Sequence, residues 1–115
     1  MNDLSQLPGL EVSLVPSPPC LLLQLGGELD FCTRDELPWD EYASRPDLTS
    51  VLVDLGELTF CDVAGLRALA TFRAIHEARG RSVEVVLDNP LIRRVMRLCG
   101  FTDRLEFTRP ATSGV

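Results

Sequence analysis

One histidine, four cysteines and no lysine restrict the chemistry open to this chain. All 11 basic residues are arginine, which removes a phosphate-loop lysine and a Schiff-base lysine from consideration. A nucleophile elbow needs Gly-x-Ser-x-Gly, and no such run occurs. His76 is the only candidate imidazole base; it falls in the middle of the strongest helical pattern without matching partners, so it reads as structural. Cys20, Cys32, Cys61 and Cys99 lie far apart with no Cys-x-x-Cys pair, so zinc is not expected and free thiols are. Glu28 with Asp30 and Asp40 with Glu41 read as solvated carboxylates, and Gly26-Gly27 is too short for a dinucleotide fingerprint. The expectation is a protein that is not an enzyme and has no cofactor or metal.

The segment that stands out runs from Asp54 to Leu66: a strand, a loop and the start of a long helix. A helix N-terminus presents unpaired N–H groups and partial positive charge, so Asp62 is placed to cap it. Gly65, one turn in, allows another element or chain to approach closely.

The surrounding elements follow from periodicity and turn chemistry. Glu11 to Val15 and Cys20 to Leu25 read as strands joined through the turn Pro16-Ser17-Pro18-Pro19. Thr33, followed by Asp35 and Glu36, is a candidate N-cap for a helix that Pro38 must shorten, displace or kink before Arg45-Pro46. Val51 to Leu55 is nearly all apolar and predicts a central strand buried on both faces. Leu66, Leu69, Phe72 and Ile75 or His76 recur at helical spacing within Ala64 to Arg79, and Gly80 ends that helix. Val83 to Leu87 is the next strand. Asn89 and Pro90 open a second helix with Ile92, Val95, Met96 and Cys99 as its apolar stripe, ended by Gly100, and Arg104 to Phe107 predicts a last short strand. Strands alternating with helices give an α/β fold: a mixed, mostly parallel sheet with an antiparallel hairpin at its beginning. The expected core includes Leu52, Val53, Leu66, Leu69, Phe72, Val85, Val95 and Met96.

At 115 residues, 45% of them hydrophobic, one domain is expected over residues 11–108, with an N-terminal extension at 1–10 and a tail at 109–115. No apolar run approaches the roughly 20 residues of a membrane span, and no secretory signal precedes the domain, so a cytoplasmic location is expected. A net charge of -6 disfavours direct binding to nucleic acid.

Three motifs occur in order: Gly27-Glu28-Leu29-Asp30; Asp54-Leu55 with Phe60-x-Asp62-x-x-Gly65-Leu66; and Leu98-Cys99-Gly100-Phe101. From Glu11 to Phe107 the chain resembles the STAS domain of anti-sigma factor antagonists. That resemblance implies a partner: an anti-sigma factor, often a Ser/Thr kinase of the histidine-kinase-like ATPase superfamily, whose capture frees a sigma factor for transcription. It also implies a docking surface of Asp30, Phe31, Asp62, Val63, Ala64, Gly65 and Arg67. In such proteins the residue after the Asp is a serine or threonine, phosphorylated to break the complex. Here that position is Val63 and the next is Ala64, neither with a hydroxyl. Thr59 and Thr33 are the nearby hydroxyls. Other STAS domains serve membrane lipid or anion transport systems or bind nucleotides, and this is the alternative reading. Cys32 and Cys61 follow strands expected to be parallel, so they are a candidate redox pair.

Overall fold

The computed structural model describes residues 9–39, 41–42, 44–101 and 107–108, the last two by backbone alone. The expectations for residues 1–8, 104–106 and 109–115 lie outside the described residues. Among the described residues, five strands form one sheet in chain order: β1 (Leu10–Ser17), β2 (Cys20–Leu29), β3 (Ser50–Cys61), β4 (Ser82–Val86) and β5 (Phe107–Thr108). The β1–β2 pair is antiparallel and the others are parallel, so the mixed sheet with a leading hairpin is as predicted. Helix α1 (Val63–Glu77) joins β3 to β4, and α2 (Pro90–Leu98) joins β4 to β5. No helix among the described residues is long and apolar enough to cross a membrane.

Both helices begin and end where local chemistry dictates. Asn89 caps α2 by accepting from the amides of Leu91 and Ile92, with Pro90 at the first helical position, where its missing N–H costs nothing. Gly80 and Gly100 follow their helices at φ +83° and +75°, the left-handed conformation that a side chain would oppose.

Four expectations are corrected. The strands β2 and β3 run on past Leu25 and Leu55, through Gly26-Gly27 and Gly56, with two register shifts absorbing the misfit between them. Asp54 to Cys61 is therefore strand, and no loop precedes the Asp62 cap. The helix expected after Thr33 is a single 3-10 turn, Arg34–Glu36, since Leu37 is held extended before Pro38. The third strand alternates instead of being buried twice over: Val51, Val53 and Leu55 are buried, and Leu52 is only half-buried on the other face. Cys99 leaves the apolar stripe of α2 for solvent, because Ile92 and Met96 alone turn fully inward while Val95 packs at the margin. The rest of the expected core, including Leu69, Phe72 and Val85, is buried.

A buried polar node ties the loop before β3 to the end of α1. The Arg81 guanidinium donates to the carbonyls of Leu48 (2.8 Å), Tyr42 (2.9 Å) and Arg45 (2.9 Å), and it lies 3.0 Å from Nδ1 of His76. Since arginine only donates, Nδ1 must accept, which fixes His76 as neutral with its proton on Nε2. Burial first, then the charges of Arg81 and Arg79, push the His76 pKa below its ordinary value; the Phe72 ring packs on its other side. A depressed pKa means that the unfolded chain binds the proton more readily. Stability is therefore expected to be full above about pH 6.5 and to fall as pH drops below it toward the folded pKa. Urea midpoints measured between pH 7 and pH 5.5 check this, because His76 is the only histidine. The decline is expected to be smaller in His76→Gln, and a wild-type midpoint flat across that window would contradict the assignment.

Candidate functional site

The C-terminal ends of β2 and β3 meet at the first turn of α1, and backbone amides organise them. Asp62 does the joining. Its Oδ1 accepts from the amide of Gly65 at 2.8 Å as the N-cap, and its Oδ2 accepts from the amide of Phe31 at 3.2 Å, in the loop after β2. One carboxylate thus fixes the Phe31 loop to the helix. Asp62→Ala is expected to cost about 1 kcal/mol from the lost cap alone, read as a lowered urea midpoint, with extra hydrogen exchange at the Phe31 amide.

Gly65 seals the same junction. A Cβ built there would lie 2.3 Å from the Leu29 carbonyl oxygen and 2.8 Å from the Cys61 sulfur. The close approach anticipated for Gly65 is therefore made by this chain's own β2, and the residue is buried.

Asp30 also works inward. Its Oδ1 accepts from the amides of Cys32 (2.9 Å) and Thr33 (3.0 Å), shaping the turn. The Thr33 hydroxyl donates to the Glu28 carbonyl at 2.8 Å and accepts from the Asp30 amide at 3.0 Å. It is buried, which takes it out of reach of a kinase.

What faces outward is apolar. Phe31 is 65% exposed, Phe60 47% and Val63 37%. The Arg34 guanidinium lies 4.5 Å from the centre of the Phe31 ring, leaving the ring's surroundings both greasy and cationic. Beside them a shallow groove of about 190 Å³ runs between the 3-10 turn and α1, lined by Arg34, Asp35, Trp39, Ala64, Arg67 and Thr71 among others. The structure thus brings together all the residues expected at the docking surface and divides them: Phe31, Val63 and Arg67 are exposed and Ala64 partly so, while Asp30, Asp62 and Gly65 build the frame. The exposed Phe60 was not among the expected residues, because Asp54 to Cys61 was read as a strand followed by a loop and its burial there does not alternate.

Cys61 and Cys32 both emerge at this end of the sheet, yet Cys61 faces the core and Cys32 faces solvent, both as free thiols. Burial, with help from Asp62 and Asp30, pushes the Cys61 thiol up to about 12, so it stays protonated and unreactive. Thr59 is exposed with its hydroxyl donating to the Gly27 carbonyl at 3.0 Å. No group of three or more metal-binding side chains gathers among the described residues.

A family model described as Mlab, STAS domain matches residues 12–107. Solved structures share the fold. An anti-sigma factor antagonist from Mycobacterium paratuberculosis is 23% identical with a TM-score of 0.69, covering 91% of this chain and 88% of that one. The phosphorylated form of SpoIIAA, a Bacillus cell fate determinant, is 16% identical with a TM-score of 0.65, covering 88% and 92%. The murine anion transporter Slc26a9 is 13% identical with a TM-score of 0.68; 93% of this chain matches 21% of that one.

Proposed function

Because the chain belongs to the STAS domain family, we propose that it is a regulatory docking module that binds an anti-sigma factor and thereby releases a sigma factor, without enzymatic activity of its own. The observation that carries this reading is Val63. It stands at the first position of α1, exposed and apolar, on a frame in which Asp62 holds the amides of Gly65 and Phe31. The resemblance to anti-sigma factor antagonists supports the class of partner, with an ATPase-fold kinase as its usual form. Apolar side chains ringed by polar ones suit a protein interface, since their burial contributes about 25 cal/mol per Å².

A phosphate adds roughly -1.5 to -2 charges, and on the residue after Asp62 it would sit at the exposed first position of α1. Val63 offers no oxygen for it. The docking state is thus proposed to be permanent at this position, with control exercised elsewhere, by abundance or by the partner. The likeness to the anion transporter Slc26a9 supports a second reading, a cytoplasmic part of a membrane transport system. Affinity capture from the native cell separates the two. A water-soluble ATPase-fold anti-sigma factor lost on Phe31→Ala or Phe60→Ala supports the first; a membrane permease supports the second.

A further inference from the structure

The strands follow one another across the sheet in chain order, so the connections from β2 through to β5 all advance in one direction. Right-handed crossovers that advance in one direction fall on one face of a sheet. The other face is left without a covering element among the described residues, as the half-burial of its side chains records. Parallel strands, however, nearly always have both faces covered.

The register arranges this bare face in rows. Val15, Leu22 and Leu52 lie side by side across three strands, with Glu84 next on the fourth. Val15 is 46% exposed, and Leu22 and Leu52 are half-buried. Farther along the strands the face turns acidic. Glu11 and Glu57 flank Gly26, whose missing side chain opens a cleft of about 300 Å³ that Asp54 also lines. No arginine occupies these rows.

The opposite chemistry sits on α2. That helix contains Arg93, Arg94 and Arg97 and no acid, in a chain whose net charge is -6. With Ile92 and Met96 turned to the core, its outer side presents Arg94, Arg97, Leu91 and Leu98, and these leucines are 71% and 76% exposed, more than any other large apolar residue described.

From these two surfaces we infer that the bare sheet face receives the α2 face of a second copy of this chain. The leucines cover the Val15–Leu22–Leu52 row while Arg94 and Arg97 meet the carboxylates. The dimensions agree: Leu91 and Leu98 are about 10.5 Å apart along a helix that rises 1.5 Å per residue. Val15 and Leu52 are two strand spacings apart, about 9.6 Å. The contact is head to tail, because each copy brings one surface and keeps the other free, so assembly extends or closes into a ring instead of stopping at a symmetric dimer. This interface uses none of Phe31, Val63 and Arg67, which belong to the surface proposed for the anti-sigma factor.

Sedimentation equilibrium of the purified chain at low salt, from about 10 µM to 1 mM, is the test, since a weak contact resting on two leucines and two arginines dissociates in that range. The average mass is expected to rise with concentration and to fall back in high salt, which screens exposed charges. The double variants Arg94→Glu/Arg97→Glu and Glu57→Arg/Glu84→Arg, all at exposed positions, are each expected to be folded by circular dichroism and monomeric. Mixed in equal amounts they should associate again, because acidic helix then meets basic sheet and basic helix meets acidic sheet. A wild-type chain that remains monomeric throughout overturns the proposal. So does self-association that survives either double variant. Binding of the monomer to phosphatidylglycerol vesicles through Arg94 and Arg97, without self-association, overturns it in favour of a lipid surface.

Discussion

Gly65→Ala is expected to destabilise the domain by about 3 kcal/mol, the upper range for forcing one methyl into a packed site. The reason is backbone against backbone. The new Cβ would meet the Leu29 carbonyl oxygen at 2.3 Å and its carbon at 2.9 Å, and neither can swing aside as a side chain would. Relief requires β2 and α1 to part, which also strains the Asp62 bonds to Gly65 and Phe31. Gly80→Ala serves as the comparison. There a Cβ meets nothing within 4 Å, and only the left-handed φ of +83° opposes it, for roughly 1 kcal/mol. Urea denaturation of the two variants should rank Gly65 well above Gly80. Equal midpoints would show that the β2–α1 junction is looser than its geometry implies.

Val63→Asp is expected to weaken partner binding on the order of a hundredfold, about 3 kcal/mol, while leaving the fold as stable as before. The two effects separate because they depend on different surroundings. For the free domain, a carboxylate at the first position of α1 sits in the favourable field of the helix N-terminus, worth some tenths of a kcal/mol. In the complex the same carboxylate must be stripped of water among Phe31, Phe60 and whatever covers them, next to the carboxylate of Asp62. Calorimetry of binding beside urea denaturation tests the separation. Loss of stability together with affinity would mean that Val63 is part of the frame and not of the docking face.

Much of this site was legible in the sequence where one residue's own chemistry decides the matter. Asp62 as a cap, Gly65 as a point of close approach, Asn89-Pro90 as a helix start and Gly80 as a helix end each follow from local rules. What escaped depends on pairing between distant segments. The expected ends of β2 at Leu25 and of β3 at Leu55 fail because pairing between the two strands carries both on through Gly26, Gly27 and Gly56, with two register shifts. Val51 to Leu55 looks buried twice because apolar residues also fill the bare face of the sheet. Nothing local marks Arg81 as buried, since the carbonyls that satisfy it come from positions 42, 45 and 48. Asp30 and Asp62 were both expected at the docking surface, and their carboxylates turn instead to the backbone amides of Cys32 and Thr33 and of Gly65 and Phe31.

The central claim is that this domain docks through the Val63 patch and cannot be switched off there by phosphate. Its most direct measurement is calorimetric affinity for the ATPase-fold anti-sigma partner, before and after incubation with that partner's kinase activity and ATP, on wild type and on Val63→Ser. Wild type is expected to gain no phosphate and to bind unchanged, while Val63→Ser gains one and loses affinity. A phosphate on wild type that weakens binding about tenfold, or roughly 1.4 kcal/mol, would contradict the claim.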